Sequence, residues 1–256
     1  MLEALQLTKF YGSPPAVQNV SFQILPGSVL GYLGPNGSGK STTVKMLIGL
    51  LQPTHGEVRF DGHSIQQDLL TYRKRLGYVP EEPNLYPHLT GWEYLEMVGT
   101  LRGMSEAALS SKAGKLLELL SLSANKHVQM SSYSKGMRQR ILLIAALMDN
   151  PDVLVLDEPL SGLDVSSAMV VKNLIQILAA KGKSIFYCSH VLEVVEKVCS
   201  QLIVIRKGRM LTSGATEDVR KQIGQSTLEQ AFVPLIEDKD AGQISSDIVD
   251  VMVAPR

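Results

Sequence analysis

The sequence predicts an α/β fold built on a parallel sheet, and three observations lead there. From VLVLDEP (153–159) onward, short apolar runs alternate with segments of helical period, the pattern of strands joined by crossover helices. Those runs are apolar without alternation, as strands buried on both faces must be. Two other blocks are patterned differently: the first sixty residues are strand-rich with period two, and Gly91 to about Asn150 carries helical period. A strand-rich first portion and a helical block set between strands therefore accompany the sheet.

Along the chain, Val20, Phe22 and Ile24 alternate with Ser21 and Gln23, and Val58 and Phe60 flank Arg59, which predicts half-buried strands. Pro26-Gly27 and Asp61-Gly62 supply turns. VLGYL is a strand, GPNGSGKST a glycine-rich turn, and TTVKMLIGLL a helix; a second apolar strand ends at Pro80 in YVPEE. KAGKLLELLSL and RQRILLIAALMDN have helical period, the latter stopped by Asn150-Pro151. After VLVLDEP follow a helix through VVKNLIQILAAKG, a strand SIFYCSH ending at His190, a helix from Val191 to Val198 and a strand QLIVIRKG. A short helix after Gly214 is expected, and from Glu237 the pattern is weak.

The 256 residues are 45% hydrophobic, enough for a sizeable core, and this excludes disorder as the main state. Lys plus Arg (25) balance Asp plus Glu (25), so no basic excess points to a nucleic-acid partner. The longest strongly apolar stretch, Ile141 to Met148, is too short to cross a bilayer. The start MLEALQLTKFYG does not read as a secretory signal. Cys188 and Cys199 sit among apolar residues without metal-ligand spacing, so a reducing cytoplasm is expected.

The most informative stretch is Gly34-Pro35-Asn36-Gly37-Ser38-Gly39-Lys40-Ser41-Thr42, which matches GxxxxGK[ST] between a strand and a helix. Glycines let backbone N–H groups turn toward an anion, and the helix that follows presents its positive end to phosphates. Lys40 would reach the β and γ phosphates of ATP, and the Ser41 hydroxyl would ligate Mg²⁺. Asp157 ends the apolar run LVLD, at the edge where a parallel sheet binds ligands, and is expected to hold Mg²⁺ directly or through water. Glu158 is the candidate to orient and deprotonate the attacking water. As an isolated residue it would be a cap or a surface ion-pair partner.

With these motifs in place, residues 2–214 resemble the nucleotide-binding subunits of ABC transporters. YSKGMRQR (133–140) is similar to the signature usually written LSGGQ: Ser134 and Gly136 match, while Tyr133, Lys135 and Met137 depart from it. The resemblance implies that Ser134 and Gly136 complete the nucleotide pocket of the opposite subunit. The bland alternative for Ser134 is a helix N-cap. SGLD resembles the loop that follows the dimer seam and includes Asp164; His190 matches the family's switch histidine; Tyr11 takes the place of the aromatic that stacks on adenine. After Pro80 the family usually has Gln, whereas this chain has Glu81, a carboxylate that can also meet Mg²⁺ but adds charge.

Glu81 and YSKGM together resemble an exporter branch that includes drug, antibiotic and sodium-efflux systems, and STLEQAF near Ser226 is similar to that branch as well. The resemblance implies a P-loop, RecA-like α/β cassette over about 1–220 with an N-terminal antiparallel β portion and an inserted helical subdomain at about 86–150, and an extension of uncertain role at 221–256. It further implies a peripheral ATPase on the cytoplasmic face of the membrane. Its partners would be one or more transmembrane permease subunits and a second ATP-binding subunit, identical or closely paralogous. Tyr86, Trp92 and Tyr94 fall where the family receives a cytoplasmic helix of the permease, although Trp92 could equally pack in a core. The rival readings are a soluble ABC ATPase of DNA repair or translation and a regulatory cassette that binds ATP without turnover. The first lacks its coiled-coil insertion or second cassette; the second is opposed by the presence of Glu158 and His190.

Overall fold

The computed structural model describes residues 1–83, 85–222, 246, 248–250 and 252, so STLEQAF lies outside the described residues. In chain order the elements are β1 (Leu2–Lys9), β2 (Val17–Ile24), β3 (Val29–Leu33), α1 (Lys40–Leu47), β4 (His55–Phe60), β5 (His63–Ser64), α2 (Leu69–Lys74) and β6 (Leu76–Val79). Then come α3 (Gly91–Leu101), α4 (Glu106–Leu119), α5 (Lys135–Leu147), β7 (Val153–Asp157), α6 (Val165–Ala180), β8 (Ser184–Cys188), α7 (Leu192–Val198), β9 (Gln201–Arg206), β10 (Arg209–Ala215) and α8 (Thr216–Gln222).

Two sheets result. The first, ordered β2-β1-β4-β5, is antiparallel throughout; the second runs β10-β9-β3-β8-β7-β6. Within the second, β9, β3, β8, β7 and β6 are mutually parallel, and β10 is antiparallel to β9. The expected parallel sheet is thus a mixed one. Its antiparallel edge arises because Lys207 and Gly208 both take positive φ, the conformation of a two-residue hairpin turn.

The central strands are buried on both faces, which explains their unbroken apolar runs. Val153 and Val155 of β7 and Phe186 of β8 face a core shared with the antiparallel sheet and α1. Leu154, Leu156 and Ile185 face the opposite core with α6 and α7. Phe22, Tyr32 and Phe186 join the sheets through a ring cluster with centroids 5.1–5.8 Å apart. The buried Tyr32 hydroxyl meets Thr43 Oγ1 at 3.1 Å, tying β3 to the helix that follows the glycine-rich turn.

Helices α3 to α5 lie between β6 and β7 in the chain and have a core of their own, including Leu95, Leu109, Leu117 and Ile141. The Gly91–Asn150 pattern breaks into three helices: Gly103 turns with positive φ after α3 and Ser105 caps α4 by accepting from Ala108 N, while Ser121 turns with positive φ after α4 and Ser134 caps α5 by accepting from Met137 N.

Candidate active site

Two loops at one edge of the mixed sheet build the site. β3 ends at Leu33, and the chain turns through residues 34–39 into α1. Gly39 caps that helix with φ 106°, and a Cβ there would stand 2.5 Å from the Ala16 carbonyl oxygen, so only glycine fits. α1 has neither a side-chain cap nor an acidic residue in its first turn. Its first N–H groups and the positive end of its dipole therefore remain available to an anion. Lys40 Nζ donates to the carbonyls of Gly34 (2.7 Å) and Pro35 (3.1 Å), its resting position on the loop. The Ser38 hydroxyl is buried without a hydrogen-bond partner among the described residues.

β7 delivers the second half. Asp157 is its last residue and is 5% exposed, and Glu158 follows in a left-handed conformation at φ 48°. Glu158 N donates to the Cys188 carbonyl (2.9 Å), which holds the turn against β8. The Glu158 carboxylate is firmly oriented. Oε1 accepts from His190 N (2.7 Å) and lies 2.6 Å from His190 Nδ1, and Oε2 accepts from the Ser189 hydroxyl (2.9 Å). Strand β8 stops at Cys188, two residues short of the expected end, because Ser189 and His190 turn to Glu158 instead of continuing the ladder.

A cleft of about 200 Å³ gathers Asn36, Gly37, Gly39, Lys40, Ser41 and Thr42 with Glu81, Asp157, Glu158 and His190. Three carboxylates therefore share one pocket with a single lysine. Burial, and after it the charges of Glu81 and Glu158, push the Asp157 carboxyl up to about 6, against the opposing hydrogen bond from Cys188 and the charge of Lys40. This excess of negative charge, with oxygen donors on Ser41, Glu81 and Asp157, suits a hard divalent cation. Among the described residues no three His, Cys, Asp or Glu side chains form a closed metal cage.

Seven expected site residues do not line this cleft: Gly34, Pro35 and Ser38 belong to the same glycine-rich turn, whereas Tyr11, Ser134, Gly136 and Asp164 lie elsewhere. Tyr11 stands 66% exposed, with Lys9 Nζ 5.8 Å from its ring centroid. Ser134 is the N-cap of α5, accepting from Met137 N (3.2 Å), and Asp164 is the N-cap of α6, accepting from Ser167 N (2.9 Å). Gly136 lies against the loop that carries Asp164: a Cβ on it would stand 2.6 Å from the Gly162 carbonyl oxygen. The signature and the SGLD loop thus form one surface, apart from the cleft.

Sequence reasoning missed Ser189, Cys188 and Gln139. Ser189 holds Glu158 and accepts from Val191 N (3.1 Å). The Cys188 thiol donates to Asp157 and is itself raised well above its usual range, by burial first. Buried Gln139 donates from Nε2 to the Pro159 carbonyl (3.3 Å), joining the signature helix to the residue after Glu158. Adjacency to His190 was the available signal for Ser189; the other two carried none.

Comparison with known proteins fits this geometry. The model of the family described as ABC transporter matches residues 17–161. The Nod factor export ATP-binding protein I of Paraburkholderia xenovorans is 37% identical over 89% of this chain and 75% of its own length. The linearmycin resistance ATP-binding protein LnrL of Bacillus subtilis is 34% identical over 91% of this chain and 75% of its own. Among solved structures, an ATP-binding subunit of an ABC transporter superposes with a TM-score of 0.86 at 31% identity, covering 92% of this chain and 99% of that one. A dimeric post-hydrolysis ATP-binding cassette bound to ADP and Pi superposes with a TM-score of 0.77 at 26% identity, covering 84% and 99%. A chain with this phosphate loop, this pair of carboxylates and these relatives belongs to the ABC transporter family, as one of its ATP-binding cassettes.

Proposed function

We propose that this cassette hydrolyses ATP to drive export through a separate transmembrane permease, from the cytoplasmic face of the membrane. The observation that carries the reading is the convergence of Lys40, Ser41, Asp157, Glu158 and His190 on one cleft. When ATP enters, Lys40 exchanges the Gly34 and Pro35 carbonyls for the β and γ phosphates, and the open N-terminus of α1 takes the remaining negative charge. Ser41, Glu81 and Asp157 would hold Mg²⁺, which neutralises charge that develops on the phosphates. Glu158 accepts a proton from the attacking water, while the His190 N–H and the Ser189 hydroxyl fix its orientation. His190, exposed beside Glu158, would contact the γ-phosphate.

Ser134, Gly136 and Asp164 lie on a surface of their own, which supports a second ATP-binding subunit, identical or paralogous, whose matching surface closes over the cleft. Tyr11 supplies the adenine-facing ring. The dimeric state of the post-hydrolysis neighbour agrees with this arrangement.

Export, in preference to import, rests on the names of the relatives that include Nod factor export and linearmycin resistance. No helix among the described residues is long and apolar enough to cross a membrane, and the proposed reading assigns the path to another chain. A groove of about 770 Å³ between α3 and α4 offers its docking site, lined by Trp92, Met97, Leu101 and Met104 with Glu93, Glu96 and Glu106. Tyr86 is exposed, whereas Tyr94 and Trp92 are half-buried, Trp92 packing beneath Lys126. Apolar floor and acidic wall suit a permease segment that mixes apolar and basic residues. The test is purification of the tagged cassette from membranes: a polytopic membrane protein should accompany it and stimulate its phosphate release. Accompaniment by nucleic acid, or binding of ATP without turnover in the presence of that partner, would reject the reading.

A further inference from the structure

A second groove, of about 400 Å³, shares no lining residue with the nucleotide cleft or the α3–α4 groove. Leu116, Leu119 and Leu120 at the end of α4 form one wall and Val170, Leu174 and Leu178 of α6 the other, with Lys183 at its rim. It is strongly apolar and open: Leu119 is 65% and Val170 51% exposed, and Ile177 extends the apolar surface along α6. Contiguous apolar surface of this kind marks a contact site.

The same chain carries an apolar face in search of one. In ISSDIVDVMV (244–253), Ile244, Ile248, Val251 and Met252 share one side at helical spacing, with Asp247 at its flank and Asp250 opposite, beside Val249 and Val253. The described part, Ser246, Ile248–Asp250 and Met252, is helical, with Ile248 56% and Met252 79% exposed. The charges also match. Residues 223–256 hold six acidic side chains against two basic ones. Lys112 and Lys115 stand one turn before Leu116 and Leu119 on α4, and Lys181 and Lys183 follow α6. Residues 223–243 can span up to about 70 Å when extended, ample to reach any face of the cassette.

We infer that segment 244–253 docks in the α4–α6 groove of its own chain, its apolar residues against the leucines and its aspartates toward the lysine rim. Covalent tethering raises the local concentration of this occupant far above that of a foreign helix. Docked there, it bridges α4 of the helical block and α6 of the sheet layer.

Because Cys188 and Cys199 are both buried, an introduced cysteine pair can be cross-linked selectively in the full chain. Leu119→Cys with Met252→Cys should give, under mild oxidation, a cross-link within one chain whose yield does not fall on dilution. Val170→Asp, at an exposed position that tolerates charge, should lower that yield several-fold. A control pair, Gln23→Cys on the edge strand β2 with Met252→Cys, should cross-link poorly. Cross-links formed only between chains would assign the groove to a second copy and overturn the inference. So would a yield no higher than the control, or one indifferent to Val170→Asp.

Discussion

Asp157→Asn should make the nucleotide-free cassette more stable while abolishing its Mg²⁺-dependent hydrolysis. The Asp157 carboxyl is raised from its ordinary 3.8 to about 6, by burial and then by Glu81 and Glu158. A raised carboxylate pKa means that the native state binds the proton more tightly than the unfolded state does. The charged form therefore costs native stability above pH 6, and that cost shrinks as pH falls from about 6 toward 4. The gap of about two pKa units corresponds to about 3 kcal/mol at pH 8, and to about half as much at pH 5. Asn keeps the shape and can still accept from the Cys188 thiol, yet carries no charge. Urea unfolding without Mg²⁺ or nucleotide should show the variant more stable than the parent at pH 8, with the advantage roughly halved at pH 5. A less stable variant at pH 8, or an advantage independent of pH, would refute the electrostatic account of this cleft.

Three further outcomes follow from the same geometry. Glu81→Gln should retain hydrolysis, since an amide oxygen can replace the carboxylate toward Mg²⁺, whereas Glu81→Ala should lower turnover or its stimulation by the permease; ATPase titrated with Mg²⁺, with and without that partner, separates the two. Tyr11→Ala should weaken ATP binding by about 1–3 kcal/mol, the range for aromatic–base stacking, and Tyr11→Phe should change it little in equilibrium titration. Gly39→Ala should weaken ATP binding at least tenfold with little change in far-UV circular dichroism, because the new Cβ meets the Ala16 carbonyl at 2.5 Å and a φ of 106° strains any other residue.

The lining of the cleft was legible where motif and context coincide. GPNGSGKST between VLGYL and a helix, and LVLDE at the end of a strand buried on both faces, located Lys40, Ser41, Asp157 and Glu158. Pattern failed where burial is one-sided or where side chains take over backbone partners. β10 was missed because its residues alternate between exposed and half-buried on an edge strand, so no apolar run marks it. Lys207-Gly208 was the hairpin cue. The end of β8 was misjudged because the competition between ladder pairing and the Glu158 carboxylate for the His190 N–H is a tertiary matter. Likewise Gln139 reaches Pro159 across 20 residues, a contact no local period records. Ser134 and Asp164 show the converse: both serve as helix N-caps within the chain, and the role proposed for them toward nucleotide calls for a second subunit.

Phosphate release by Glu158→Gln in the permease-bound cassette tests the central claim most directly. The amide preserves acceptance from the His190 N–H at Oε1 and a partner for the Ser189 hydroxyl, so the loop should keep its shape and ATP should still bind. What is lost is the capacity to take a proton from water. Turnover should fall about 10²-fold or more, in line with removal of a positioned general base, and an ATP-loaded dimer should accumulate. Turnover close to that of the parent would contradict the account and remove Glu158 from the chemistry.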